Sequence, residues 1–294
     1  MNKKLVTLGL AAMLAISTVV SAAPIDDLKA SVQKYRNPTG TYLLKMNIPF
    51  TKIDPMNIDS VIDIQAEPYC ARVKNSVVMG KQQPTTSMIY EEKVGNQLKT
   101  YTKEKLHKTD KTESWVYELD PIAPGETIMN AVNPNTLFTS VQEASLIGQS
   151  GNTKRIALQF DCAKLFSNFG MEHTLKEGTN SSKDPKLEAD FEKEFNKLRK
   201  SGTLAGEAVI TNGVLTQISA DITKPVNAFE NVIKRGVSRH SHTGVLGDWL
   251  LGMLLKTGKS TMTLNLEPLQ EAISVPAEVR NAAVPKPATT TAKK

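Results

Sequence analysis

The sequence predicts an α+β fold in which one curved antiparallel sheet of about ten strands carries helices on one face. Short runs of alternating apolar and polar residues recur along the chain, and tight turns such as Gly95-Asn96 and Asn212-Gly213 join them. Helical stretches lie mainly in the middle and near the end. Strands that follow one another through tight turns pair antiparallel, which is why we expect a meander and not a parallel sheet.

The first element along the chain is an export signal. Lys3 and Lys4 precede an apolar run from Leu5 to Val20, and the small residues Ser21-Ala22-Ala23 follow. This order is typical of a cleavable secretory signal. A membrane-spanning helix is the alternative, but the run is short of the roughly 20 apolar residues that a span needs. We therefore expect cleavage after residue 22 or 23 and a periplasmic or extracellular protein, without a cysteine at the new N-terminus to carry a lipid anchor.

A helix opens the mature chain, because Ile25, Leu28 and Val32 fall at helical spacing before the stop at Asn37-Pro38. Alternation of apolar and polar residues then predicts six strands. They cover residues 41–48, 58–67, 71–79, 88–90, 98–105 and 115–119.

The middle of the chain changes character. Scattered apolar residues from Glu126 to Ile147 indicate helical turns, and a strand follows at 155–161. A short helix is predicted at 162–169, and Asp184-Pro185 begins an amphipathic helix that ends near Gly202. The remaining strands are predicted at 204–211, 214–223 and 260–267, with a helix at 243–256 between the last two.

The folded domain is therefore predicted to span residues 24–280. From Asn281 to Lys294 the chain consists mainly of Ala, Pro, Thr and Lys, a composition that cannot form a packed core. We expect this tail to be disordered.

Charge and composition exclude one class of partner. The formal net charge is +6, and removal of Lys3 and Lys4 with the signal leaves +4, since 34 basic and 30 acidic side chains then remain. No basic patch interleaved with aromatic residues is present, so nucleic acid is not an expected partner. The 40% apolar content is sufficient for a packed core.

The two cysteines, Cys70 and Cys162, leave two structures open. An even number of cysteines in an exported chain favours a disulfide between them. The alternative is two separate buried thiols, since spacing alone does not bring the two Cα atoms within the ~7 Å that a disulfide requires.

The sequence contains no recognisable set of catalytic residues. The histidines (His107, His173, His240 and His242) lack the His-Glu-x-x-His spacing, and neither a Gly-x-Ser-x-Gly elbow nor a phosphate-binding loop occurs. Asp120 and Asp161 lie at strand ends, where carboxylates usually accept hydrogen bonds from turn amides. The sequence therefore predicts a protein that is not an enzyme and uses neither a cofactor nor a metal.

The stretch from Val245 to Leu255 carries apolar residues around almost its whole circumference. Such a helix is either an ordinary core helix or a cover over an apolar cavity. In the second case the cavity is bounded by this helix and by the inner faces of the strands. The predicted lining residues are Leu44, Met46, Ile62, Ile64, Val77, Met88, Trp249, Leu250, Met253 and Leu254.

The rhythm of strands and turns resembles a known family. It includes the stretch Ile62–Tyr69, Trp115-Val116-Tyr117, the hairpin Ala208–Thr216 and the segment Ile273–Val279. These resemble the exported LolA/LppX-like half-barrels, which are related to the outer-membrane lipoprotein carrier and to mycobacterial lipid-binding lipoproteins. The resemblance extends to small lipoproteins of Firmicutes-type bacteria. Relatives often carry a lipobox cysteine, which this chain lacks, and its helix-rich stretch 126–200 is longer.

The resemblance implies an incomplete β-barrel closed by helices on its concave face, with an apolar cavity between the two. It also implies carriage or sensing of a lipid, an acylated peptide or another apolar ligand, and none of the family's functional residues is carried over to a numbered position here. A lipid or acyl chain is the expected ligand, and an envelope protein or membrane surface is a further partner. The alternative is an envelope structural or interaction protein with no ligand cavity, whose tail contacts anionic wall polymers.

Overall fold

A computed structural model describes residues 23–34, 38–50, 54–106, 110–122, 133–168, 185–200, 202–240 and 258–286. The predicted export signal up to residue 22, the predicted helix at 243–256 and the last eight residues lie outside these ranges. None of the helices within the described ranges is long and apolar enough to cross a membrane.

Twelve strands form one large, curved sheet in the described part of the chain. Their order across the sheet is β12-β6-β5-β4-β3-β2-β1-β11-β10-β9-β8-β7. The strands are β1 (Gly40–Ile48), β2 (Met56–Gln65), β3 (Cys70–Met79), β4 (Thr85–Val94), β5 (Gln97–Glu104), β6 (Ser114–Pro121), β7 (Val141–Ser150), β8 (Thr153–Asp161), β9 (Thr203–Thr211), β10 (Val214–Asp221), β11 (Thr261–Glu267) and β12 (Val284–Pro285).

The sheet consists of two antiparallel meanders joined by a late strand. β1 to β6 form the first meander and β7 to β10 the second, and β11 pairs with β1 on one side and with β10 on the other. The two outermost strands, β12 and β7, are not neighbours, so the sheet does not close into a barrel. Tight turns set the meander: Asn212 and Gly213 both have positive φ, 53° and 70°, as a two-residue hairpin turn of this type requires.

Six helices accompany the sheet within the described ranges. They are α1 (Ala23–Gln33), α2 (Pro134–Phe138), α3 (Cys162–Asn168), α4 (Pro185–Lys200), α5 (Thr223–His240) and α6 (Ala277–Ala282). The predicted opening helix, the short helix after Asp161 and the helix after Asp184-Pro185 are thereby confirmed. The 18-residue helix α5 was not predicted.

Residues on one face of the sheet, named here the helix-covered face, form the larger core. Tyr42, Ile62 and Val73 are opposite one another on β1, β2 and β3, and all three are buried. They belong to a single cluster with Leu28 of α1, Leu137 of α2, Leu165 of α3, Phe195 of α4 and Val232 of α5. This core extends over β7 to β11 as well, through residues such as Phe160 and Leu264.

The opposite face of β3 to β6 carries a second core. Successive residues of a strand point to opposite faces, so Cys70 and Tyr90 lie on the face opposite to Ala71 and Ile89. Tyr101 of β5 is opposite Tyr90 and is 1% exposed. Residues 268–286, named here the C-terminal strap, cover this face with Ile273, Val275 and Val279. We call it the strap-covered face.

Two of the twelve strands, β7 and β12, were not predicted. β7 covers residues predicted as helical turns, where only the five residues of α2 are helical in the described part. Its pairing with β8 shifts register at Val141/Glu143 and again at Leu146/Gly148. Each shift interrupts the two-residue alternation by which a strand is recognised. β12 lies in the predicted tail, and the ordered chain continues past residue 280 because Val284 pairs with Val116 of β6.

The predicted disulfide between Cys70 and Cys162 is wrong. Both cysteines are free and buried. Cys70 belongs to the core on the strap-covered face, whereas Cys162, at the start of α3, belongs to the core on the helix-covered face. The thiols are therefore in separate cores, which corresponds to the alternative of two buried thiols.

Candidate functional site: an apolar void on the helix-covered face

A small void lies between the sheet and the helices on the helix-covered face. Its volume is about 20 Å³. Strands β1, β8, β10 and β11 supply its floor, and α2 and α3 its roof. The lining residues, all apolar, are Leu44, Leu137, Phe160, Leu165, Ile218, Ala220, Met262 and Leu264.

A second void of about 10 Å³ adjoins the first. It lies against α1 and α2 and shares Leu137, Phe160 and Ile218 with the first void. A cavity needs roughly 10–15 Å³ to hold one water molecule, and pockets for small molecules measure about 300–1,000 Å³. Neither void is therefore large enough for a small-molecule ligand.

The structure brings together five of the six strand residues predicted to line a cavity. Ile62 and Ile64 are buried in the helix-covered core, with 6% and 0% exposure. Leu44 and Met46 are half-buried and pack against that core, and Leu44 also lines the void. Val77 is half-buried on the same face, opposite Ile58 of β2.

Met88 does not join this group. Met88 lies on β4, opposite Lys74 of β3, and points to the face opposite to that of its neighbour Ile89. It packs against the core on the strap-covered face. The sequence pattern of β4 places apolar side chains on both faces, so alternation alone did not show which face belonged to the larger core.

A half-buried apolar row continues from the void along the helix-covered face. Met46, Ile58 and Val77 are opposite one another on β1, β2 and β3. All three are intermediate in exposure, and Met79, two residues further along β3, is 40% exposed. Apolar side chains so placed are available for contact with another apolar body.

The predicted residues Trp249, Leu250, Met253 and Leu254 lie outside the described residues. The chain on either side of them is located. α5, which precedes them, contributes Ala228 and Val232 to the helix-covered core. After them, the backbone N–H of Gly258 donates to the carbonyl oxygen of Pro49 at 2.7 Å, just beyond the end of β1. Gly258 is thus positioned beside the end of β1 that carries Met46.

Charged groups are concentrated elsewhere. No titratable side chain lines either void, and no group of three or more potential metal ligands occurs in the described ranges. Under the strap, Arg280 forms two hydrogen bonds with Glu92, and the Tyr101 hydroxyl donates to Glu92 at 2.7 Å. Burial, followed by this hydrogen bond, raises the pKa of Tyr101, so the phenol stays protonated and continues to donate to Glu92, the carboxylate that binds Arg280 of the strap.

Several lining residues were missed by sequence reasoning. Ile218, Met262 and Leu264 lie on strands that were predicted correctly, at positions that alternate with polar residues. The sequence did not indicate which strands pair with one another. In the structure, Ile218 of β10 is opposite Leu264 of β11, and Leu264 is opposite Leu44 of β1. The period-two pattern of β11 was the available signal, but it did not specify β1 and β10 as its partners.

The arrangement is suited to binding by burial of apolar surface, since the side chains of the void and of the apolar row are apolar and carry no reactive group.

No protein-family model matches the chain, and no curated protein sequence matches it. Among solved structures, the chain is similar to the crystal structure of LprF from Mycobacterium bovis, with 10% identity and a TM-score of 0.41 over 87% of this chain and 97% of that one. A TM-score of 0.41 is too low to establish a common fold or function.

Proposed function

We propose that this chain is an exported, non-enzymatic binding protein that carries or senses a lipid, an acylated peptide or another apolar ligand on its helix-covered face. The observation that supports the proposal most directly is the continuity of apolar surface from the void at Leu44 to the half-buried row at Met46 and Val77. The proposed site comprises this surface together with Trp249, Leu250, Met253 and Leu254.

Affinity in such a site comes from burial of methylene groups, each contributing about 0.8 kcal/mol. The voids are too small for an acyl chain, so the proposed ligand lies along the apolar row, and the void at the end of the row leaves the neighbouring side chains room to adjust. The resemblance to exported lipid carriers and the predicted export signal agree with this role. The absence of titratable groups among the lining residues agrees with binding without catalysis.

Adjacent valines on β3 provide a matched test. Val77 and Val78 are both half-buried and point to opposite faces of the sheet. A fluorescent fatty acid is titrated into the purified protein and into its Val77→Lys and Val78→Lys variants. We expect Val77→Lys to weaken binding at least about tenfold, because a charge must be buried against the acyl chain. Val78→Lys is expected to bind as the unchanged protein does.

Organic extraction of protein purified from its native envelope, followed by mass spectrometry, gives an independent result. A stoichiometric lipid in the extract is expected. Equal loss of binding in the two valine variants would place the ligand elsewhere, and an empty extract together with no fatty-acid uptake would overturn the proposal.

The alternative function is a structural or interaction protein of the envelope without a ligand. The small volume of the voids favours it, since the larger void measures only about 20 Å³. This function predicts an empty extract and no fatty-acid uptake, so the same two measurements separate the two functions.

A further inference from the structure

Four lysines converge on one end of the sheet from four different segments of the chain. Lys164 follows β8, Lys200 precedes β9, Lys224 follows β10 and Lys259 precedes β11. All four are exposed. We name this group the basic rim.

Strand register brings these segments together. Asp161, the last residue of β8, is opposite Thr203, the first of β9. Asp221, the last residue of β10, is opposite Thr261, the first of β11. Hydrogen bonds close the gaps between the strand ends, from Cys162 N to Gly202 O at 3.1 Å, from Ile222 N to Ser260 O at 3.0 Å and from Lys224 Nζ to Thr203 O at 3.3 Å.

The two acids at the same strand ends are already engaged by the backbone. Asp161 Oδ1 accepts from the N–H of Lys164 at 3.0 Å, and Asp221 Oδ1 accepts from the N–H of Thr223 at 2.9 Å. Burial acts to raise the pKa of Asp221, but its hydrogen bonds with Thr223 and the charges of Lys259 and Lys224 lower it overall. Both carboxylates thus have backbone partners, and the four exposed lysines outnumber these two acids, which leaves this end of the sheet with an excess of positive charge.

The basic rim lies directly above the apolar void. Phe160, Ala220 and Met262 line the void, and each is next in sequence to the terminal residue of its strand at this end of the sheet, namely Asp161, Asp221 or Thr261. A surface that combines exposed lysines with apolar core just beneath matches a bilayer interface, where anionic headgroups lie above acyl chains. A soluble polyanion would need only the charges.

We propose that the basic rim is the surface through which this protein docks on an anionic lipid membrane. Contact there places the apolar void toward the bilayer. The interaction is electrostatic at long range and weakens with salt, since the Debye length falls to about 10 Å at 0.1 M. It does not depend on whether the protein binds an apolar ligand.

The test compares two triple variants with the same change in net charge. One reverses the rim (Lys164→Glu, Lys224→Glu and Lys259→Glu), where the first two substitutions place acids at helix N-terminal turns that tolerate them. The control reverses exposed lysines remote from the rim (Lys29→Glu, Lys34→Glu and Lys93→Glu); Lys34, for example, lies beside Gly213 in the turn at the opposite end of β10. Protein purified after export, with its N-terminus identified by mass spectrometry, is sedimented with vesicles.

We expect the unchanged protein to bind phosphatidylglycerol/phosphatidylcholine vesicles and not pure phosphatidylcholine vesicles, with at least about tenfold weaker binding for the rim variant. The control variant is expected to lose less than about threefold in vesicle affinity.

Three outcomes would each overturn the proposal. They are equal losses of affinity in the two variants, binding to neutral vesicles, and retention on a soluble polyanion with no vesicle binding. Should the rim variant melt early, the same lysines changed to Gln give the comparison. Fatty-acid titration without vesicles reports separately on the proposed ligand site.

Discussion

Cys162 has no solvent-exposed surface, and burial raises the pKa of its thiol to about 11, while the charge of Lys224 opposes this shift. Burial likewise raises the pKa of Cys70, the second buried thiol, and the charge of Glu92 adds to this shift. Both thiols are therefore protonated at neutral pH. At the scale of the residue, the two cysteines act as small apolar side chains and not as nucleophiles or cross-links.

A pH dependence follows for Cys162. In the unfolded chain its thiol releases a proton near the ordinary value of 9.0, whereas the folded thiol does so near 11. Between these values the unfolded state binds fewer protons, so the free energy of unfolding falls as pH rises. The loss amounts to up to about 2 kcal/mol.

Urea unfolding at pH 8, 9, 10 and 11 measures this effect in the unchanged protein and in Cys162→Ala. The variant starts lower because it loses a buried atom, but its stability is expected to fall less between pH 9 and pH 11. Parallel curves for the two proteins would contradict the assignment.

At the scale of the element, the C-terminal strap completes a core that the sheet alone leaves open. Val275 is 2% exposed and packs against the aromatic residues of β4 and β5, whereas Val284, in the same strap, is 41% exposed. Val275→Ala is expected to lower the free energy of unfolding by roughly 1–3 kcal/mol, because it leaves a cavity under the strap.

Val284→Ala is the control for this substitution. Its side chain loses little buried area, so a change within about 0.5 kcal/mol is expected. Guanidinium unfolding followed by tryptophan fluorescence provides the measurement, since Trp115 packs in the same core. Equal effects of the two substitutions would mean that the strap does not cover this face.

Elements with regular periodicity were predictable from the sequence, and those with broken periodicity were not. β1, β2 and the hairpin at Asn212-Gly213 follow simple alternation and turn chemistry, and each was predicted. β7 was missed because two register shifts disturb its alternation. The unpredicted helix α5 had a local signal, since Asp221 caps it and Val226, Phe229 and Ile233 follow at helical spacing.

The candidate site was predictable only in part, for a related reason. Alternation in β1 and β2 identified Leu44, Met46, Ile62 and Ile64 correctly as residues of one face. It assigned Met88 to that face too, because a sequence does not show that a sheet carries cores on both sides. The void itself depends on the pairing of β11 with both β10 and β1, and the pairing with β1 joins residues more than 200 positions apart.

At the scale of the whole molecule, the predicted export signal implies a mature chain that begins at residue 23 or 24. We expect the protein recovered from the periplasm or medium to have an intact mass that lacks residues 1–22 or 1–23. Intact-mass spectrometry checks this, and a chain that stays in the cytoplasmic fraction at full length would contradict it.

The central position of β11 also governs the order in which the sheet is completed. A chain exported from its N-terminus delivers β1 to β6 first and β7 to β10 second, yet these two groups share no strand pairing until residues 261–267 arrive. Until then β1 and β10 each present an open edge of unpaired backbone, which is a template for intermolecular association. In the export that the signal predicts, β11, the strand that joins the two meanders, arrives almost last, and we expect the interval before its arrival to be when the nascent protein most needs protection by envelope chaperones.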